Sequence, residues 1–222
     1  MNRFGEELEC LKLKLLEMSS LVEHAIQRSI DAVIKRDQIA AEEVLNAEAR
    51  INAIELEIDA LAIELLALHQ PMAGNLRLII AVLKINTELE RMGDLSVAIA
   101  HSAKSLIDTP ALEPIVDIPL IAGLVQSMVR KSLDAFVAAD VDLALSVLTS
   151  DDTVDSLRTT FYHQLVSFMR KGPQNINPAL NLLAITRTLE RLADHSTNIA
   201  EDVFLFVKGV DVRHNLSQPM KN

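Results

Sequence analysis

Two six-residue runs hold the residue types that could do chemistry: Leu89-Glu90-Arg91-Met92-Gly93-Asp94 and Leu189-Glu190-Arg191-Leu192-Ala193-Asp194. In each, a Glu precedes an Asp by four positions. On an α-helix, residues four apart lie about 40° apart around the axis, so the two carboxylates share one face. The Leu that opens each run belongs to an apolar series, which puts Glu90, Asp94, Glu190 and Asp194 on the outside of a bundle. His101 and Glu201 fall on the same two lines further along. A second polar row lies upstream, where Glu48, Asn52, Glu55 and Asp59 step by four, three and four and span about 60° at 3.6 residues per turn. In the second half of the chain, Asp151 and Asp155 take the places of Glu48 and Asn52, while Arg158 and Tyr162 stand where Glu55 and Asp59 would recur.

Acids four apart on a helix repel by a few tenths of a kcal/mol per pair. Two such rows on neighbouring helices would converge up to six carboxyl groups, and a bound cation would remove the repulsion. An all-oxygen donor set favours Mg, Ca, Mn or Fe. Zinc could draw on His101 or His195 but suits the set less well. A single Glu-x-x-x-Asp pair on an exposed helix is ordinarily just a solvated face. Recurrence at equivalent places in two halves, opposite a second acidic row, is what raises this pattern above that reading. Arg91 and Arg191 can simply pair with neighbouring carboxylates.

The elements that must position these rows are long helices. None of the seven prolines interrupts 4–69, 76–106, 120–172 or 179–208, and a proline inside a helix costs about 3 kcal/mol. Apolar residues recur every three and four positions: Val44, Ala47, Ile51, Ile54, Ile58, Leu61, Leu65, Leu68; then Leu78, Val82, Ile85, Leu89, Met92, Ser96, Ile99, Ala103; then Leu182, Ile185, Leu189, Leu192, Ser196, Ile199, Val203, Phe206. That period is the buried seam of a bundle helix. The spacing predicts six helices near 4–36, 38–69, 75–106, 118–139, 141–171 and 178–208, with no sheet. Asp37 and Asp140 are placed to cap the second and fifth, and Gly74 and Asn75 the third.

The chain also repeats itself. Shifted by 100, residues 83–103 meet nine identities in 183–203: Leu83, Ile85, Leu89, Glu90, Arg91, Asp94, Ser96, Ile99 and Ala100. Shifted by 103, Ser29, Asp31, Ala32, Asp37, Ala41, Val44 and Leu45 match as well. The expected architecture is all-α: two pseudo-symmetric antiparallel three-helix bundles, residues 1–108 and 120–210, joined by a proline-rich linker at 109–119 and followed by a tail at 211–222.

Composition narrows the function classes. Among 222 residues, 21 Lys and Arg face 31 Asp and Glu, a net charge of −10, and half the residues are hydrophobic. The acidic balance argues against nucleic acid as the main partner. One cysteine, Cys10, forms no internal disulfide and fits a reducing compartment; it reads as a small buried hydrophobe. The longest nearly apolar run, Ile118 to Val129, is far short of the roughly 20 residues a membrane helix needs. The start is acidic and lacks a signal-peptide pattern, so a cytoplasmic protein is expected. No Glu-x-x-His, His-Glu-x-x-His, phosphate-binding Gly-rich loop or Gly-x-Ser-x-Gly is present. The six histidines are scattered, and His69 suits a helix C-terminus.

These motifs together resemble the PhoU family of phosphate-uptake regulators. The paired Leu-Glu-Arg-x-Gly/Ala-Asp runs carry the resemblance, with Gln70-Pro71 followed by Asn75-Leu76-Arg77, the series Ile51-Asn52, Glu55, Ile58-Asp59, and the end Phe206-Val207-Lys208-Gly209 with Asp211 and Arg213-His214. The resemblance covers about 5–214. It implies a non-enzymatic negative regulator of the phosphate regulon, linking the ATPase subunit of the phosphate ABC transporter to the membrane sensor histidine kinase. It also implies a homodimer, peripheral to the inner face of the membrane through those partners. It further implies multinuclear metal clusters on the bundle surface, iron foremost, with Mn, Mg and Zn as alternatives. Carried over by position, the metal candidates are Glu55, Asp59, Glu90 and Asp94 in the first half and Asp151, Asp155, Glu190 and Asp194 in the second. Arg158 and Tyr162 depart from that pattern and make a smaller second cluster the expectation, and Asn75 stands where the family often has Asp. Two other readings remain open: a carboxylate-cluster phosphohydrolase, for which only Arg91 and Arg191 offer to hold a phosphoryl group, and a metal-binding structural bundle.

Overall fold

The computed structural model describes residues 3–107, 109 and 116–210. Among these residues there are six long helices, α1 (Arg3–Ile34), α2 (Gln38–His69), α3 (Ala73–Ile107), α4 (Ile118–Ala138), α5 (Val141–Met169) and α6 (Ile176–Lys208), with a short 3₁₀ turn at Pro173–Asn175 before α6. No strand occurs among them. Within each half every helix touches the other two, so α1–α3 and α4–α6 are each a three-helix bundle; the halves join mainly along α3 and α6, with a lesser α1/α4 contact.

The apolar seams do what their spacing implies. Ile51, Ile54, Ile58 and Leu65 on α2, Val82, Ile85, Leu89, Met92 and Ile99 on α3, and Ile185, Leu189, Leu192, Ile199 and Val203 on α6 are all buried. Each such side chain contributes about 1.5–3 kcal/mol relative to exposure. At the end of the α2 seam the pattern fails: Leu68, in the last turn of α2, is exposed. Cys10 is likewise exposed, which corrects its reading as a buried residue; Leu8, Leu11 and Leu15 hold the inner face of α1 and Cys10 falls outside that arc.

Duplication extends to the turns. Asp37 caps α2 by accepting from the Ala40 N–H, and Asp140, 103 residues later, caps α5 by accepting from Asp142 and Leu143. The residue before each cap, Arg36 or Ala139, takes the same left-handed backbone, with φ 55° and 51°. Asn75 and Gly74 are not caps: α3 starts earlier, at Ala73. Gln70 closes α2 in the left-handed conformation, so the chain reverses at once and re-enters a helix before reaching Gly74. The fourth helix begins at Ile118, capped by Asp117, so Ile118 and Pro119 belong to it and not to the linker. Pro178 sits in the first turn of α6, where no intrahelical N–H is needed. The 211–222 tail lies outside the described residues.

The α1/α4 contact shows the internal two-fold directly. Gln126 donates to Gln27 at 2.7 Å and Arg130 reaches Glu23 at 3.8 Å. Subtracting 103 from one residue of a pair and adding it to the other converts one pair into its mate.

Candidate functional site

α2 and α3 run antiparallel in a register set by a buried amide. Asn86, fully buried on α3, donates its Nδ2 to the Glu55 carbonyl at 3.0 Å and to Asp59 Oδ1 at 2.9 Å. About two turns further along α3, a methyl group added at Gly93 would lie 3.2 Å from Ile51 Cγ2, so the missing side chain lets the two helices close. This register sets Glu55 and Asp59 of α2 against Glu90 and Asp94 of α3, and the four carboxylates feel one another. Burial pushes the Glu55 carboxyl above its ordinary pKa, and the charges of Asp59 and Asp94 push it further. Glu90 is raised by burial, then by Asp94 and Glu55, with Arg91 and His195 opposing.

The second half repeats the arrangement one step along. Asp151 is pushed up to about 6 by burial first, then by Asp155, Asp194, Asp152 and Glu190. Asp194 is raised by burial, Glu190 and Asp155, against His195 and Arg191. Arg158, at the place of Glu55, reaches Glu190 at 3.2 Å; the pseudo-symmetric pair Glu55/Glu90 is thus replaced by an ion pair. All eight sequence-derived carboxylates therefore gather in two surface rows. Their donors suit a hard cation, and the mutual repulsion is the electrostatic condition one would relieve. Yet among the described residues no three His, Cys, Asp or Glu side chains converge closely enough to hold one ion. Asp59 is engaged by Asn86 and Glu190 by Arg158. The residue types suit a hard cation.

A further polar cluster joins the two halves. Glu88 of α3 contacts His195 Nδ1 of α6 at 2.6 Å, accepts from Asn198 Nδ2 at 2.9 Å and meets Arg91 at 3.4 Å. Burial raises the Glu88 carboxyl, but the hydrogen bonds from His195 and Asn198 outweigh it and hold the group below the usual range. Lys84 pairs with Asp202 at 2.5 Å. Apart from Arg91, which Arg191 matches, the cluster has no counterpart across the internal two-fold, where Thr188, Leu95, Ala98, Ala184 and Ser102 stand instead. Identities in the repeat mark the shared scaffold. Departures from it, such as Glu88 against Thr188 and His195 against Leu95, were the signal for this cluster. His69, at the end of α2, contacts Glu7 at 2.7 Å.

A family model described as the PhoU domain matches the chain twice, over residues 15–103 and 118–203. The chain belongs to the PhoU family. The PhoU homologue of Pseudomonas aeruginosa, named a phosphate-specific transport system accessory protein, is 40% identical over 213 residues, covering 96% of this chain and 88% of that one. The Aquifex aeolicus homologue of the same name is 37% identical, covering 94% and 95%. The crystal structure of PhoU from P. aeruginosa superimposes with a TM-score of 0.90 at 39% identity, covering 94% of this chain and 100% of that one. A phosphate transport system regulatory protein PhoU from Streptococcus pneumoniae gives 0.86 at 27% identity, covering 95% and 99%. The two matched stretches coincide with the two bundles, so the internal repeat is a repeat of the PhoU domain.

Proposed function

We propose that the protein is a negative regulator of phosphate uptake and of phosphate-regulon signalling, an adaptor between the phosphate ABC transporter and its sensor histidine kinase. The observation that carries this reading is the match of both bundles to relatives named as phosphate-specific transport system accessory proteins. Supporting it, the long rigid helices offer extended outer faces suited to partners. No helix of the described residues is long and apolar enough to cross a membrane, so contact with a transporter or kinase would run through those faces. Deleting the gene derepresses phosphate-starvation genes in phosphate-rich medium; unchanged expression would refute the reading.

The acidic rows are the metal-binding part of the proposal. Glu55, Asp59, Glu90 and Asp94 would hold a cation in the first half, and Asp151, Asp155 and Asp194 in the second. Glu190 contributes there only when Arg158 releases it. A bound cation would supply charge neutralisation between paired helices, fixing α2 against α3 and α5 against α6. Within the protein, Asn86 ties α3 to α2 in the first half and Arg158 reaches Glu190 across α5 and α6 in the second. Elemental analysis of purified protein checks this: metal content drops in Asp94→Ala and Asp194→Ala. Wild-type metal content in both variants removes the metal sites and leaves the adaptor reading intact.

A further inference from the structure

The outermost face of α2 carries an apolar ridge that the fold does not use. Ala49, Ala53, Leu56, Ala60, Ile63 and Ala67 are all exposed, Leu56 at 67% and Ile63 at 62%. They step by four, three, four, three and four. At 3.6 residues per turn they stay within about 80° of one another, and at 1.5 Å per residue the ridge is about 27 Å long. This is a second heptad-type seam on a helix whose first seam, Ile51, Ile54, Ile58 and Leu65, is already buried in its own bundle. Single exposed apolar residues are ordinary, but a continuous row at this period is the pattern of a helix with an absent neighbour.

The internal repeat supplies a control. At the corresponding places on α5, 103 residues on, stand Asp152, Ser156, Thr159, His163, Val166 and Arg170. The same position in the same fold therefore accepts a polar face, and the ridge on α2 answers to something other than folding. Alternation of Ala with Leu and Ile gives shallow holes between large knobs, which lets a second helix approach closely. The borders of the ridge are acidic: Glu55 and Asp59 on one side, Glu57 and Glu64 on the other. Of the nearby cations, Arg50 is held by Glu17 at 2.6 Å and lies 3.8 Å from Glu57, and Lys14 is held by Glu57 at 2.6 Å, which leaves Glu64 as the stronger acidic border on that side. A second copy of the chain is a poor occupant, because two-fold antiparallel pairing about the middle of the ridge brings like flanks together and sets Glu57 beside Glu57 and Asp59 beside Asp59.

We infer that the outer face of α2 docks an amphipathic helix of a partner protein, with an apolar seam flanked by Lys and Arg. The inference rests on the adaptor reading, since it names where a partner would sit. A labelled synthetic peptide of about four heptads, with Leu and Ala in the seam and Lys at the flanks, is titrated against the full chain and followed by fluorescence anisotropy. The wild type binds it, the variant Leu56→Gln/Ile63→Gln binds at least about tenfold more weakly, and Thr159→Gln/His163→Gln on α5 binds as the wild type does. A peptide with Glu at the flanks binds at least about tenfold more weakly than the Lys peptide, and added salt narrows that gap. All four substituted residues are on the surface, so circular dichroism of each variant should overlay the wild type. No binding by the wild type, equal binding of the two peptides, or unchanged binding by the α2 variant overturns the inference. So does a wild-type dimer in sedimentation that the α2 variant converts to monomer, since the occupant is then a second copy. Purified protein and peptide contain no transporter, kinase or phosphate response. Failure here therefore leaves the gene-deletion result untouched, and the reverse also holds.

Discussion

At the scale of single residues, the acidic rows carry stored repulsion that titration should reveal. Asp151 has the clearest case, with burial and its acidic neighbours pushing its carboxyl up to about 6 from the ordinary 3.8. A carboxyl whose pKa is raised on folding binds its proton more tightly in the folded state. Stability therefore falls as pH rises from about 4 to about 6, and the penalty is complete above that window. Asp151 is partly open to solvent, which screens the repulsion, so the penalty is on the order of 1 kcal/mol and not the full value of the shift. Asp151→Asn should thus stabilise chelator-treated protein at pH 7 by about 1 kcal/mol, with the gain vanishing near pH 4. Urea denaturation at the two pH values measures it. Adding a divalent cation should raise the melting temperature of the wild type more than that of this variant, because the variant has already lost the Asp151 share of the repulsion.

At the scale of elements, the pairing of α2 with α3 is decided by volume at one crossing. Gly93 faces Ile51, and the equivalent crossing in the second half is Ala193 with Val154. Both pairs total the same number of side-chain carbons, so the repeat has moved one methyl from one helix to the other. Gly93→Ala gains about 1 kcal/mol of helix propensity and meets Ile51 more tightly than good packing allows, at a cost of about 1–3 kcal/mol. Ile51→Val alone leaves a small void worth about 0.5–1.5 kcal/mol. The double variant recreates the second-half pair and should be more stable than the sum of the two single effects by about 1 kcal/mol. A chemical-denaturation double-mutant cycle gives that coupling directly, and strict additivity would mean that the crossing has slack.

At the scale of the whole molecule, the question is whether two similar bundles behave as one. Their shared seam is α3 against α6, and its polar part is lopsided. Glu88, with His195 and Asn198, and Lys84, with Asp202, fall on one side of the internal two-fold. Small and apolar residues fall on the other. Glu88→Ala removes the acceptor shared by His195 and Asn198 in a half-buried place, which should cost about 1–3 kcal/mol. Because the contact spans both halves, the loss should move a single unfolding transition to lower denaturant and not split it. Two transitions, with only one of them shifted, would show the bundles to be independent. Since the folded-state pKa of Glu88 is lowered, its contribution is present above the ordinary carboxyl range and is lost as pH falls through the folded value.

Much of this was legible before any coordinates. Six helices, two caps at Asp37 and Asp140, the inner seams and the duplication follow from chemistry local in sequence: a period of 3.5, a carboxylate before a helix, an absence of proline, a repeat at 100 and 103. The eight carboxylates were legible too, because their spacing alone put them on faces. What spacing could not supply is which face meets which. The Asn86 link to Asp59, the Arg158 grip on Glu190, the Gly93 crossing and the Glu88 cluster all depend on the antiparallel register of helices distant in the chain. The early start of α3 and the exposure of Cys10 were also beyond it, since both turn on how a reversal or a helix arc is filled by neighbours. The sequence by itself determined the helices, their inner faces and the acid rows, because these are properties of one segment at a time. Only the tertiary structure decided how the rows are neutralised and which face of α2 is left uncovered, because register and coverage are properties of pairs of segments.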